Sequence, residues 1–397
     1  MTTDCSHGAL SHLRILDISR VRAGPTCCRI FADFGADVIK IEAPPGVDPN
    51  EGMSGARDGY DMQNLHRNKR SITINLKTPS GVDLFKRLVK SADVVVENFR
   101  PDVKARLGIG YEDLRAVNPR IILASISGFG ETGPYRNRAG FDQIAQGMGG
   151  LMWVTGFPGE GPMRAGIAVA DTSSGLYAAI GILIALSERN RSGEGQWIRT
   201  SLLQSQIAMM DFQAARYLID NVVPEQAGND HPYSTPMGVV RTADGYINIG
   251  VGGQGQWKSF CVAIGHPGMA ERPDYKTAKL RFQNRPQLNA EIATIFVAKP
   301  SQAWLDLLEA AGVPAGPIYK MDAVFEDPQV RHLGMAAAMH HPVRGDIKVV
   351  NQPVDLSRTP ATVRSPLPAI GANTAEVLAE IGCTEQEIAA LRRQKAI

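Results

Sequence analysis

The chain has 397 residues with 42 basic and 40 acidic side chains, a formal net charge of +2, and 44% hydrophobic residues. That length can bury large cores and is long for one domain, so two domains are predicted. The two signs are mixed throughout, with no basic stripe or polybasic run, so neither nucleic acid nor a membrane surface is expected as a partner.

From the N-terminus, the run from Met1 to His7 has neither a basic n-region nor an apolar h-region, and a cytoplasmic location is expected. The cysteines, Cys5, Cys27, Cys28, Cys261 and Cys383, are scattered without CxxC spacing, the pattern of reduced thiols rather than of a disulfide framework or zinc site. The first half alternates short apolar runs with helical patterns, the sign of parallel βαβ units. Strands are predicted at 14–18, 38–42, 94–97 and 121–127, and helices at 25–34 and 79–90, each opened by a proline in its first turn. Between Gly46 and Asn64 lies a polar, Gly-rich excursion longer than an ordinary crossover, a length that usually reflects function.

The first βαβ unit invites a dinucleotide reading, because Glu42 ends the second strand about 20 residues after the turn, where a ribose-binding carboxylate is expected. The turn itself, Arg22-Ala23-Gly24-Pro25, has one glycine and a proline with no N–H for a phosphate. No nicotinamide cofactor is therefore expected, although the switch point of such a unit can hold another ligand.

Further along, Pro162-Met163-Arg164-Ala165-Gly166 leads through Asp171 into an Ala-, Leu- and Ile-rich helix predicted over 172–189, placing Asp171 at or beside the N-cap. Two readings compete there. Asp is among the best capping residues, contributing ~1 kcal/mol; equally, a helix's positive end favours an ionised carboxylate, which can attack an acyl carbon. Spacing alone favours the cap. The most apolar part of this helix, 176–186, is shorter than a bilayer span. A strand at 197–200 and a helix to about 218 follow, then a Pro-rich linker over 221–236.

In the second half, runs at 238–241 and 246–250 flank Ala243-Asp244-Gly245, a hairpin signal. Helices are predicted at 256–264, 285–298 and 301–311, a strand at 313–318, a turn at 343–346, and terminal helices at 374–381 and 384–394. The expected fold class is α/β. A large Rossmann-like domain with a parallel sheet spans 1–220 and is completed by 345–397; a smaller α+β domain spans 225–330, and 331–344 is the return linker. The segment from Gly250 to Gly255 reads either as a mobile cover or as a strand-to-helix turn, with the turn slightly favoured. His231, His266 and His332 stand alone and His340-His341 points two ways, so no metal site is expected. No G-x-S-x-G elbow is present, and Ser173-Ser174 reads as first-turn polarity.

Many segments, in order over roughly residues 12–390, resemble the class III coenzyme A-transferases, also called the carnitine dehydratase/bile-acid-inducible family. The likeness rests on the stretch around Asp171, and on Ile15-Leu16-Asp17 with Ala23-Gly24-Pro25, the run from Phe34 to Glu42, and Asn68-Lys69-Arg70-Ser71. It continues in the run from Asp93 to Phe99, in Ser127-Gly128-Phe129-Gly130 with Gly133-Pro134, in Asp244-Gly245, in Gly312-Val313-Pro314 and in Ile370-Gly371 with Thr374. The resemblance implies that Asp171 is the nucleophile, carrying the acyl group and then coenzyme A. It assigns Asn75, Lys77, Asn98, Phe99, Arg100 and Arg106 to coenzyme A, and Arg22, Ala23, Phe141, Asp142 and Arg164 to the acid substrates. For Lys77, Asn98, Arg100 and Arg106 the residues alone allow a solvated surface equally well. Coenzyme A thioester is then a substrate and no separate cofactor is implied. The partners are an acyl-coenzyme A, a free carboxylic acid and a second copy of the chain in an interlocked homodimer.

Two departures stand out. Ala43 and Ala139 replace an Arg and a Lys of formyl-transferring members, so phosphate contacts must be rearranged, with Arg138 or Lys104 as substitutes. Met237-Gly238 replaces the Gly run of oxalate-using members, which argues against a formyl/oxalate pair. Amides at the start of the Asp171 helix or at Ala23-Gly24 are candidate oxyanion donors. Arg22 and Arg164 suit the distal carboxylate of a dicarboxylic acid, with succinyl-type donors; the competing reading pairs Arg22 with a coenzyme A phosphate or a neighbouring acid. A racemase of the same family is the main alternative, but its proton-shuttling His falls at Phe141. A non-catalytic acyl-coenzyme A-binding protein is the third reading.

Overall fold

The computed structural model describes residues 8–48, 52 and 55–397. The chain forms two compact units: one takes the chain to Leu151 together with Ala165–Ala215 and Gln329–Ile397, the other Met152–Arg164 and Arg216–Pro328. The first unit is built on six strands, β1 (Arg14–Asp17), β2 (Asp37–Glu42), β3 (Arg70–Thr73), β4 (Val94–Glu97), β5 (Ile122–Ser127) and β6 (Trp197–Ser201). They lie in the order β3-β2-β1-β4-β5-β6, with every pairing parallel. This is the doubly wound arrangement, whose strand order reverses between β1 and β4.

The buried strands read as apolar runs because both faces of a parallel sheet are covered. Successive side chains divide between two cores. On one face Ile15, Val38, Val96 and Ile122 pack with Cys27 and Phe31 of the helix Ala23–Asp33 and with Ala178 and Ile182 of the helix Val169–Ser192. On the other, Leu16, Ile39, Ile72, Val95 and Leu123 pack with Leu84, Phe85 and Leu88 of the helix Pro79–Val89 and with Val377 and Leu378.

Strand β3 was not expected, since Arg70-Ser71-Ile72-Thr73 offers one strong apolar residue. Its polar residues face an edge covered by the C-terminal segment. The Ser71 amide donates to Asn373 and that of Thr73 to Thr374, while Arg70 pairs with Asp37, Glu376 and Glu380. Asn75 extends the seam, donating from its backbone to Ala396 at 2.7 Å and from its side chain to Lys395. Beneath it, Arg67 and Asp33 form a fully buried ion pair at 2.7 Å.

The helix expected at 172–189 starts earlier and ends later, at Val169–Ser192, and its 24 residues are long and apolar enough to cross a membrane by length and composition. That corrects the shorter span anticipated from 176–186. Half of it is nonetheless buried, with Ala170, Ser174, Ala178, Ile182 and Ala185 turned into the first unit. Leu176, Tyr177, Ile180, Leu183 and Ile184 form an exposed apolar stripe on its other side. The excursion 46–64 lies partly outside the described residues; its end forms the helix Tyr60–His66. The segment 331–344 is no plain linker, because β10 (Ala336–His341) pairs there with β11 (Gly345–Val350) as an antiparallel hairpin.

In the second unit the expected hairpin is β7 (Met237–Arg241) and β8 (Tyr246–Gly250), extended by β9 (Ala315–Pro317) into an antiparallel sheet ordered β7-β8-β9. Trp257, Phe260, Phe296 and Trp304 stack in its core, the last two with centroids 4.5 Å apart. The Gly250–Gly255 segment is a strand-to-helix turn: Gly253 is the N-cap of the helix Gln254–Ala263, and Gln254 accepts from buried Arg281 at 3.1 Å.

At the tip of β1, Asp17 and Lys69 form a second buried ion pair at 2.9 Å, both side chains fully enclosed. Burial alone would raise the Asp17 carboxyl, but Lys69 and Lys40 outweigh it and hold it below its usual range. Replacing Lys69 with Met strands a buried carboxylate, so urea unfolding should show a loss of roughly 3–5 kcal/mol, most of it recovered when Asp17 is changed to Asn as well.

Candidate active site at the strand-order switch

The crevice outside the carboxyl ends of β1 and β4 is where an open α/β sheet binds ligands. After β1 the chain makes a tight loop into the helix Ala23–Asp33. Asp17 anchors the loop from below by accepting from the amide and hydroxyl of Ser19. From the side, the Asn98 amide accepts from Arg20 N at 2.8 Å and donates to Arg20 O at 2.7 Å. Next to Arg20, Val21 has φ 59°, a left-handed conformation unfavourable for a β-branched residue.

The two helices that meet the crevice approach unusually closely. A Cβ at Gly175 would lie 2.6 Å from the Ala23 carbonyl oxygen and 2.9 Å from Thr26, so only glycine lets them touch. Asp171 is one turn before Gly175 on the same helix face. Its carboxyl therefore faces the start of the helix Ala23–Asp33.

Asp171 is not the N-cap. The helix begins at Val169 after the N-cap Ala168, so Asp171 sits within the first turn. The cap comes from another element. Asp142, at the start of the helix Asp142–Met148, accepts through Oδ1 from the amides of Ala170 at 2.9 Å and Asp171 at 3.2 Å. The neighbouring amides are also engaged, Val169 with Ile167 O and Thr172 with Ala168 O. The start of this helix consequently offers no free oxyanion donor. Among the described residues the amides of Ala23 and Gly24 have no acceptor, leaving them as the remaining candidates. Ser173 and Ser174 both donate their hydroxyls to Ala170 O, as first-turn polarity requires.

Burial, then the charge of Asp142, push the Asp171 carboxyl up to about 6, while Arg22 pulls it the other way. It is more basic than an ordinary Asp, yet ionised at neutral pH. Arg22 lies in range of Asp171, and one of its nitrogens, Nη2, donates to both oxygens of Asp61 at 2.8 and 2.9 Å. Of the two readings of Arg22, the contact present is thus with a neighbouring acid. Its Nε and Nη1 have no protein acceptor among the described residues.

The other expected ligands divide. Lys77, Arg100 and Arg106 are exposed, Arg100 and Arg106 only loosely paired with Asp102 at 3.6 and 3.5 Å. Lys77 donates to Val47 O at 3.2 Å. Phe99 lies under the Arg20 guanidinium, 6.0 Å from its centre, and its amide donates to Glu97. The side chains of Asn75 and Asn98 are occupied by backbone groups, Asn98 holding the loop after β1. Lys104 is no substitute phosphate ligand: it is buried between Glu97 at 3.1 Å and Glu131 at 2.6 Å. Arg138 remains exposed, stacked on Tyr135. Ala23 is buried at the helix contact and Phe141 is exposed. Asp142 is buried and turned toward the helix amides. Arg164 is exposed in the second unit. Asp61 and Gln146 escaped the sequence reading. Asp61 lies in an excursion without periodicity, whereas the Asp142–Gln146 spacing of one helical turn was a usable signal.

Because folding raises the Asp171 pKa, the folded state binds that proton more tightly than the unfolded chain, and stability falls as pH rises from about 4 to about 6. Asp171→Asn should therefore be more stable than the parent at pH 7–8, by roughly 2–3 kcal/mol, with the difference vanishing below about pH 4. Paired thermal melts across pH check this.

Comparison with known proteins gives one consistent answer. Residues 10–374 match the sequence model of CoA-transferase family III. The chain is 40% identical over 386 residues to a succinate–glutarate CoA-transferase of Agrobacterium fabrum, covering 95% of this chain and 96% of that protein. It is 36% identical over 395 residues to a succinyl-CoA–D-citramalate CoA-transferase of Chloroflexus aurantiacus, covering 98% of each. Among solved structures it is similar to a CaiB/BaiF family protein from Brucella suis, with TM-score 0.82 and 35% identity, over 94% of this chain and 100% of that one.

Proposed function

The chain belongs to CoA-transferase family III, and from that premise we propose that it moves coenzyme A from a succinyl-type thioester to a dicarboxylic acid through covalent intermediates on Asp171. The observation that carries this reading is a carboxylate raised to about 6, within range of the Arg22 cation, on a helix packed against the one that starts with the unengaged amides of Ala23 and Gly24. Ionised Asp171 attacks the donor carbonyl, the C–S bond breaks, and a mixed anhydride and coenzyme A thiolate result. The thiolate attacks the aspartyl carbonyl, releasing the donor acid and leaving an aspartyl thioester. The acceptor carboxylate attacks that thioester and expels thiolate, which then takes the acyl group from the second anhydride and restores Asp171. Each bond formed resembles the one broken, so the exchange needs no external energy source. The amides of Ala23 and Gly24 suit the tetrahedral oxyanions.

The dicarboxylic preference is supported by the activities of the relatives and by Arg22. Asp61 holds that guanidinium by Nη2 alone, and its Nε–H and Nη1–H groups remain as single donors to a substrate carboxylate. Racemase chemistry is disfavoured because Phe141 cannot shuttle a proton. A second copy of the chain is the proposed cover for the stripe from Leu176 to Ile184, which is apolar and exposed on an otherwise buried helix.

Asp171→Ala should abolish transfer, and mass spectrometry of the parent incubated with succinyl-coenzyme A and quenched with hydroxylamine should find Asp171 modified; full transfer by the variant would end the covalent reading. Arg22→Gln should raise KM for dicarboxylic acceptors on the order of 10-fold or more while monocarboxylic acids of equal length change little. Equal losses for both classes would place Arg22 with coenzyme A or the fold instead.

A further inference from the structure

We propose that Gln146 is a positioning residue for Asp171, acting through Asp142 to fix the backbone that carries the nucleophile and the charge beside it. The inference rests on the reading of Asp171 as nucleophile and extends it to a residue with no access to substrate.

Gln146 is wholly buried, one helical turn after Asp142. Its side-chain nitrogen donates to Asp142 Oδ2 at 2.6 Å and to Ile167 O at 3.1 Å, and its oxygen accepts from Ala165 N at 3.0 Å. These contacts fix the amide's orientation, since the flipped amide would set its oxygen against two acceptors. Asp142 passes the restraint on through its other oxygen to the amides of Ala170 and Asp171. One buried amide therefore grips residues 165 and 167 on one side of Asp171's helix start and, through Asp142, residues 170 and 171 on the other. The nucleophile sits inside a closed ring of hydrogen bonds.

Such a ring has two consequences. First, Asp171 must present its carboxyl to an acyl carbon, then to thiolate, then to a second acid, and a displacement of about 1 Å can cost 10²-fold in rate. Second, Asp142 contributes to the raised basicity of Asp171, and a buried donor on its far oxygen moderates that influence.

The test uses the full-length enzyme with succinyl-coenzyme A and glutarate, following kcat, KM, the pH profile of kcat/KM for the donor, and the Asp171 adduct by mass spectrometry. Gln146→Met preserves volume and removes all three hydrogen bonds. It should lower kcat on the order of 10²-fold, leave both KM values within about threefold, and shift the acidic limb to higher pH. Asp142→Asn keeps an acceptor for the helix amides but removes the charge, and should move the limb to lower pH; Gln146→Asn, whose shorter amide falls back from Asp142, replaces Gln146→Met if that variant does not fold. Opposite shifts are a signature that loss of stability does not produce. If both folded variants keep the parent's limb, or Gln146→Met forms adduct at the parent's rate, the positioning role is overturned while the nucleophile stands. If the parent forms no adduct at Asp171 while transferring coenzyme A, the nucleophile reading falls, and this inference with it.

Discussion

Everything at the site depends on two helices coming closer than side chains ordinarily permit. At Gly175 the helix Val169–Ser192 rests on the backbone of Ala23 and on Thr26. That contact turns the start of one helix toward the start of the other. A carboxylate in the first turn of the long helix thereby lies one turn from the contact with a neighbour whose leading amides are unengaged. Normally an Asp so near a helix start would be stabilised as an anion. Here Asp142 already occupies the amides that would supply that stabilisation, so burial dominates and the carboxyl stays basic.

Much of this architecture was legible in the sequence for a simple physical reason. Strands β1, β2, β4 and β5 carry apolar runs because the sheet is covered on both faces, and runs of that kind need no context to be recognised. Strand β3 was illegible because its partners are side chains about 300 residues away, at Asn373, Thr374, Glu376 and Glu380. Asp171 was visible, but its place in the first turn was not, because the cap that sets it comes from Asp142. Asp61 was invisible on similar grounds: a carboxylate in a polar loop carries no mark of the arginine it will hold.

The expected ligand contacts that already have partners in the fold share a pattern. Asn75, Asn98, Lys104 and Asp142 are polar residues that are each engaged by backbone groups or buried acids. Composition near strand ends flags both those that touch a ligand and those that hold the loops around it. Fully buried polar groups must be partnered inside the protein, which is what separates Lys104 from the exposed Lys77, Arg100 and Arg106.

The seam between β3 and the C-terminal segment also sets an order of events during synthesis. Arg70 leaves the ribosome roughly 300 residues before Glu376 and Glu380, an interval of about 15–60 s at ordinary translation speeds. Throughout that interval the sheet edge has no cover of its own. A charged Arg at the edge discourages pairing with another nascent chain. The same side chain that later closes the fold thus guards the opening while it waits for its partners to be made.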